Sequence, residues 1–273
     1  MDLVSFLGPL GTFSHEVASK ISDNLVPLCT IPAVMESVSQ NECKYGVVPI
    51  ENSIEGPVGI TLDLFAHKYD LNIYREFVIP INHNLLINKE ADMSQITDVY
   101  SHSQAISQCQ DFISQNKFIE HFTVSTANAC EFIRGKNNCA AIGSSKACEI
   151  YDLKIAESKI QDRKNNQTRF IVLASTDYRP TGYDKTSILF SFGDDCPGQL
   201  YEVLGIFNKN SINLTKIESR PTKEGLGTYF FFIDFEGHRS DENVSKVLAE
   251  IKNFTQTFKI LGSYPNYLSK HLN

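Results

Sequence analysis

Residues 45–56 read YGVVPIENSIEG: an apolar run that ends on Pro49 and Ile50 and gives way at once to Glu51, Asn52 and Ser53. A short apolar run bounded by turn residues predicts a buried strand. The polar cluster then falls directly after that strand. The same succession recurs over residues 1–175. VSFL (4–7) is followed by GPLGTFS, DVY (98–100) by SHSQA, FTV (122–124) by STANAC and CAAI (139–142) by GSS, each cluster standing ahead of an amphipathic stretch. Strands alternating with helices predict an α/β sheet. The strand candidates are 3–7, 45–50, 99–100, 139–142 and 170–174; the helix candidates include 15–21, 104–115, 127–134 and 145–150. In open α/β sheets ligands bind beyond the carboxyl ends of the strands, so one cleft can collect all five clusters.

Helix N-termini carry unpaired backbone N–H groups and the positive end of the dipole, and hold anions without many cationic side chains. Gly8, Gly11 and Thr12 let backbone approach a ligand at such an end. Each cluster taken singly also reads as a plain cap or turn, because Ser and Thr favour those positions; Ser101 with Gln104 makes a capping box. Glu51 and Asn52 offer a carboxylate and an amide, fit to act as acid or base and as donor to a substrate oxygen, with a solvated turn carboxylate the alternative for Glu51. In NNQTRFIVLA (165–174), strand alternation points Thr168 and Phe170 one way and Arg169 the other. Thr168 is then a cleft hydroxyl or a satisfied edge hydroxyl, and Arg169 reads as half of a structural ion pair.

Residues 176–185, TDYRPTGYDK, contain Pro180 and Gly182 and no periodicity, which predicts a linker. Beyond it TSILFSF (186–192) alternates as a strand, and PGQLYEVLGIFNKN (197–210) reads as a helix with Pro at its start. INLTKIESR (212–220) and LGTYFFFIDF (226–235) are strands, 241–255 is helical and 258–264 closes the unit. That βαββαβ order is a ferredoxin-like split βαβ arrangement.

A chain of 273 residues predicts two unequal domains. With 42% hydrophobic and 21% charged residues it is globular rather than disordered. A net charge of -7 provides no basic footprint and argues against nucleic acid as a partner. The N-terminus lacks the cationic stretch and apolar core of a secretory signal, and no apolar run is long enough to span a bilayer. Seven cysteines, an odd number without a CxxC pair, fit reduced thiols in the cytoplasm. The seven histidines show no His-x-x-x-His spacing, so no metal is expected. No phosphate-binding glycine loop is present, and no cofactor is expected.

Taken together, GPLGTFSHEVA (8–18), VVPIENSIEGPV (47–58), AAIGSSKACEIYDL (140–153) and NNQTRFIVL (165–173) resemble the prephenate dehydratase family. PGQLYEVLGIFNKNSINLTKIESRP (197–221) resembles the amino-acid-binding ACT domain appended to that enzyme. The resemblance implies a catalytic domain at 1–175 made of two α/β lobes, folded like a type-2 periplasmic binding protein with the active site between them. It further implies a ferredoxin-like ACT domain at 186–265 and a tail at 266–273. The activity implied is loss of water and carbon dioxide from prephenate to give phenylpyruvate, with L-phenylalanine as inhibitor at the ACT domain and self-association as a dimer or tetramer. The family's essential threonine is carried onto Thr168, beside Glu51 and Asn52 as catalytic candidates. Gly11, Thr12, Ser14, Ser53, Ser125, Thr126, Arg169 and Phe170 are the substrate-binding candidates. Asp195, Pro197, Gly198, Gln199, Leu200, Glu218, Ser219, Arg220 and Pro221 are the effector-binding candidates; Gln199 stands where the family usually has Ala. Arogenate dehydratase and a non-catalytic solute-binding protein are the competing readings.

Overall fold

A computed structural model of the chain describes residues 2–193, 196–225 and 227–267. It begins with β1 (Val4–Leu7), α1 (Phe13–Ala18), β2 (Leu25–Leu28), α2 (Ile31–Ser39), β3 (Tyr45–Asn52), the two-residue β4 (Gly56–Pro57), α3 (Gly59–His67) and β5 (Asn72–Pro80). The chain then leaves this group to build β6 (Asn84–Asn88), β7 (Asp98–Ser101), α4 (Ser103–Ser107), α5 (Gln110–Asn116), β8 (Ile119–Phe122), α6 (Thr126–Phe132), β9 (Cys139–Gly143), α7 (Ser145–Ile150) and β10 (Leu153–Glu157). It returns through β11 (Gln167–Ala174). The first sheet has the order β2-β1-β3-β11-β5 with β4 paired to β3, and the second has the order β10-β6-β9-β7-β8. Two α/β sheets, joined by one crossing out and one crossing back, give the two-lobed, periplasmic-binding-protein-like catalytic fold.

The inner strands β6 and β9 of the second sheet are buried on both faces, which accounts for their apolar runs. Leu85, Ile87, Ala140 and Ile142 pack with Ile106 and Ile113 on one side. Leu86 and Ala141 pack with Ala129, Cys130 and Ile133 on the other. The expected single helix 104–115 is instead two, α4 and α5, because the Asp162 carboxylate accepts from the N–H groups of Gln110 (3.1 Å) and Asp111 (3.2 Å) and caps a new start there. The Ser101 capping box does not form. Strand β7 runs one residue past Tyr100, so Ser101 is buried and donates to the Ile142 carbonyl at 2.7 Å. His102 caps α4 in its place, its Nδ1 accepting from Gln104 N.

The last elements are β12 (Asp184–Ser191), α8 (Gln199–Lys209), β13 (Leu214–Pro221), β14 (Tyr229–Glu236), α9 (Glu242–Phe254) and β15 (Thr257–Pro265), with sheet order β13-β14-β12-β15. Val203, Ile206 and Phe207 of α8 and Val244, Val247 and Ile251 of α9 cover Ile188, Phe190, Ile233 and Phe235 of the sheet. Strand β12 begins two residues before the run at 186, because Asp184 accepts the N–H groups of Thr181 and Gly182 and closes the preceding turn.

The chain folds into two compact units. One comprises Met1–Val34, Val47–Pro57 and Val78–Phe170; the other comprises Met35–Gly46, Val58–Phe77 and Ile171–Asn273. The candidate reaction site lies within the first and the candidate effector region within the second. Among the described residues no helix is long and apolar enough to cross a membrane. No group of three or more His, Cys, Asp or Glu among them is placed to hold a metal ion.

Candidate active site

Strands β3 and β11 are neighbours, and this alone brings together residues 116 positions apart: Asn52 Nδ2 donates to Thr168 Oγ1 at 2.9 Å. Alternation on both strands sorts the remaining candidates. Asn52 and Thr168 share a face, each 8% exposed. Glu51 and Arg169 meet on the other, with Arg169 Nη1 3.8 Å from Glu51 Oε2. Ser53 stitches the strand ends, its Oγ accepting from Gln167 N (2.9 Å) and donating to the Asn165 carbonyl (3.1 Å).

The polarity of this centre is fixed by the backbone. Asn52 Oδ1 accepts from Ile54 N (2.9 Å) and Glu55 N (3.0 Å). A backbone N–H only donates, so the amide oxygen must face the turn and the Nδ2 group must face Thr168. Nδ2 also reaches Asn166 Oδ1 at 2.8 Å and the Gln167 carbonyl at 3.1 Å. The same logic propagates outward: Asn166 Nδ2 donates to Gln108 Oε1 (2.7 Å), and Gln108 Nε2 donates to Glu55 Oε1 (3.3 Å). Because Thr168 Oγ1 accepts from Asn52, its own proton remains available to donate, and no acceptor among the described residues engages it.

Sequence reasoning missed Asn166, Gln108 and His83, the last of which contacts Gln108 Oε1 through Nε2 at 3.1 Å. Asn166 was within reach, two residues before Thr168 in a polar stretch. Gln108 and His83 carry no spacing signature. A cavity of about 310 Å³ lies behind this network, lined by Ile54, Glu55, Ser107, Gln108, Gln161, Asp162 and Arg163. Two carboxylates against one guanidinium make it a poor seat for an anion.

The other predicted substrate residues are close to backbone rather than to Thr168. Gly11, at φ +88°, offers its carbonyl to Ser144 Oγ (2.7 Å), and a Cβ there would sit 3.1 Å from Ala147 Cα. Only glycine fits that approach at that φ. Thr12 Oγ1 caps α1 by accepting from His15 N and donates to the Pro9 carbonyl. Ser14 is buried in the first turn. Ser125 caps α6, with Thr126 next to it, and neither bonds to the Asn52–Thr168 pair. Phe170 is core, 3% exposed. Helices α1, α6 and α7 span six, seven and six residues, so what they offer an anion is their unpaired N–H groups more than a long dipole. No thiol competes as nucleophile at Cys109 or Cys130, where burial pushes both pKa values up to about 12.

In the second unit, Asp195 lies outside the described residues. Gly198 caps α8 at φ +93°, Gln199 Oε1 accepts from Cys196 N, and Pro197 and Leu200 flank them. Glu218, Ser219, Arg220 and Pro221 form the end of β13, paired with Phe232, Phe231, Phe230 and Tyr229. Arg220 reaches beyond this region. Its Nε and Nη2 donate to Asp63 on α3 at 3.2 Å each, and Lys223 Nζ lies 2.8 Å from the other carboxylate oxygen. Burial opposes ionisation of Asp63, but hydrogen bonds from Lys223 and Arg220 outweigh it and hold the carboxyl below its usual range. At the far end of α3, Lys259 Nζ donates to the Phe65 carbonyl at 3.2 Å. A side chain at Gly59 would begin 2.8 Å from Arg220 Nη2. Helix α3 follows β4 immediately, and β4 pairs with Glu51 and Asn52.

Fold and site together define an enzyme of two α/β lobes followed by an ACT domain. The family model described as prephenate dehydratase matches residues 4–178, and that of the ACT domain matches residues 186–253. The chain belongs to the prephenate dehydratase family, and its activity is that of a lyase. It is 44% identical over 272 residues to the bifunctional chorismate mutase/prephenate dehydratase of Aquifex aeolicus, spanning 97% of this chain and 74% of that one. It is 40% identical over 268 residues to the prephenate dehydratase of Methanocaldococcus jannaschii, covering 94% and 96% of the two chains. Among solved structures, prephenate dehydratase in complex with L-Phe from Arthrobacter aurescens superposes with a TM-score of 0.88 at 32% identity, over 97% of this chain and 90% of that one.

Proposed function

We propose that this chain converts prephenate to phenylpyruvate, with Thr168 as the donor to the departing hydroxide. The ring carboxylate leaves as carbon dioxide, its bonding electrons pass into the ring, and the opposite C–O bond breaks as the ring becomes aromatic. The oxygen departs as hydroxide and becomes water on gaining a proton. The protein has to orient a doubly negative ring and stabilise the leaving oxygen. The observation that carries the reading is the Asn52 amide donating into Thr168 Oγ1, which leaves the threonine proton to serve that oxygen. One preorganised donor to developing charge is worth about 3 kcal/mol. Glu51, paired with Arg169 on the opposite face, is assigned an orienting role.

The decisive assay incubates the pure protein with prephenate and with arogenate in parallel. Phenylpyruvate from the first, and slower turnover of the second, is the expected outcome. Binding without consumption of either would favour the solute-binding reading. L-phenylalanine is the proposed inhibitor at the ACT domain, on the strength of the family match and the relative crystallised with L-Phe. Titration calorimetry that registers no heat with phenylalanine would remove it. The β13 edge of the ACT sheet, with Ile217 48% exposed, suits self-association into a dimer or tetramer, which light scattering tests. All seven cysteines are unpaired, in keeping with a reducing cytoplasm.

A further inference from the structure

We propose that His83 is a positioning residue for the reacting centre, acting through Gln108 and Asn166 on Asn52. Its ring lies in the connection between β5 and β6 and is 4% exposed. Gln161 Oε1 accepts its backbone N–H at 3.0 Å, Ile160 N donates to its carbonyl at 2.9 Å, and the Phe13 ring packs edge-on with centroids 6.0 Å apart. The backbone of His83 is therefore pinned on both sides of the residue, and its ring is packed by Phe13.

The direction of its hydrogen bond follows from the backbone at Asn52. Two peptide N–H groups fix Asn52 Oδ1, so Asn52 Nδ2 donates to Asn166 Oδ1, and Asn166 Nδ2 donates to Gln108 Oε1. Gln108 Oε1 is thus an acceptor, and His83 Nε2 at 3.1 Å can bond it only as a donor. Burial lowers the pKa of the ring, which favours the neutral form. The neutral ring then carries its proton on Nε2 and leaves Nδ1 as a bare acceptor. Nδ1 is a buried atom without a hydrogen-bond partner among the described residues.

A buried, unsatisfied acceptor costs free energy that a phenylalanine or leucine of similar bulk avoids. The imidazole gains something for that cost that an apolar ring cannot: its N–H adds to the bonds from Asn166 and to Glu55 that hold the Gln108 amide against flipping. A flipped Gln108 would present its NH₂ to the Asn166 NH₂, and the clash of donors would pass along the chain to the amide that sets the Thr168 proton.

The proposal rests on Thr168 being the reacting hydroxyl, and two measurements keep the claims separate. Nitrogen-15 NMR of the wild-type protein reads the tautomer directly. A proton on Nε2 with unprotonated Nδ1 supports the assignment; an Nδ1–H tautomer or an imidazolium at neutral pH overturns it, whatever Thr168 does. Kinetics supplies the functional arm. His83→Gln keeps an N–H near the Nε2 position, whereas His83→Leu does not. We expect His83→Leu to lower kcat roughly tenfold to a hundredfold, with KM nearly constant and a melting temperature no lower than wild type, and His83→Gln to restore most of kcat. Equal losses in both variants, or full kcat in His83→Leu, would overturn the positioning role. Should Thr168→Ala keep full activity, the reaction assignment falls while the tautomer result still judges the bond.

Discussion

The centre at Asn52 and Thr168 and the contacts that hold α3 within the second unit use opposite chemistry. The first is built from neutral amides and a hydroxyl whose donor directions are fixed by peptide N–H groups. The second is built from Asp63, Arg220, Lys223 and Lys259, all charged, three of them on long flexible stems. Neutral, fully bonded networks specify one geometry and are costly to leave half made. Exposed or half-exposed ion pairs are individually weak and tolerate alternative arrangements. The proposed chemistry thus stands where the geometry is singular, and the proposed control where it can shift. Helix α3 follows β4 in the chain, and β4 pairs with Glu51 and Asn52.

The largest effect belongs to the rigid side. Thr168→Ala is expected to lower kcat by roughly 10²–10³ without unfolding the protein, as read by turnover and by circular dichroism; an unchanged kcat would remove Thr168 from the reaction. Asn52→Ala comes next. It strands the N–H groups of Ile54 and Glu55 as well as releasing Thr168, so kcat falls and the protein loses about 1–3 kcal/mol of stability in urea unfolding. On the adjustable side, Asp63→Asn is expected to leave basal kcat within about twofold while raising the phenylalanine concentration for half-inhibition roughly fivefold or more. If inhibition stays as tight, α3 is not the route. Glu51→Gln sharpens the comparison further: an orienting partner of Arg169 leaves the shape of the pH–rate profile intact, and a lost limb would make Glu51 a proton donor.

The smallest effect is on stability. His15 and His83 both have pKa values lowered from 6.5, His15 by burial and then by Lys146, His83 by burial. The unfolded state binds these protons more readily, so stability is complete above about 6.5 and is lost as pH falls through the depressed folded values. Melting temperature should therefore decline from pH 7.5 to 5.5, with a shallower slope in His83→Leu.

The strands that carry motifs were legible because apolar runs and turn residues are local signals. Strands β2, β5, β6, β8 and β10 and helices α2 and α3 passed unread for contrary reasons. LVPL has a proline inside it, IEHF is a short edge strand with Glu120 and His121 side by side and no alternation, and α3 opens at Val58 without a capping side chain. At the site, alternation in 165–174 correctly separated Thr168 from Arg169. Applied equally to Glu51 and Asn52, it would have split that pair too. Gln108 and His83 could not be read, since their partners lie far along the chain and each bond depends on the one before it. Asp63 was invisible for the same reason, 157 residues from Arg220.

Gly262, on β15, sits at φ +142° with its missing Cβ only 2.5 Å from the Ile73 carbonyl. Main chain there lies against main chain, beneath the buried Lys185–Glu76 pair that joins the same two regions. A protease that nicks the stretch between Ser175 and Tyr183 would consequently cut one covalent link in a region also held by these contacts: the two fragments should co-elute on a sizing column and part only in denaturant.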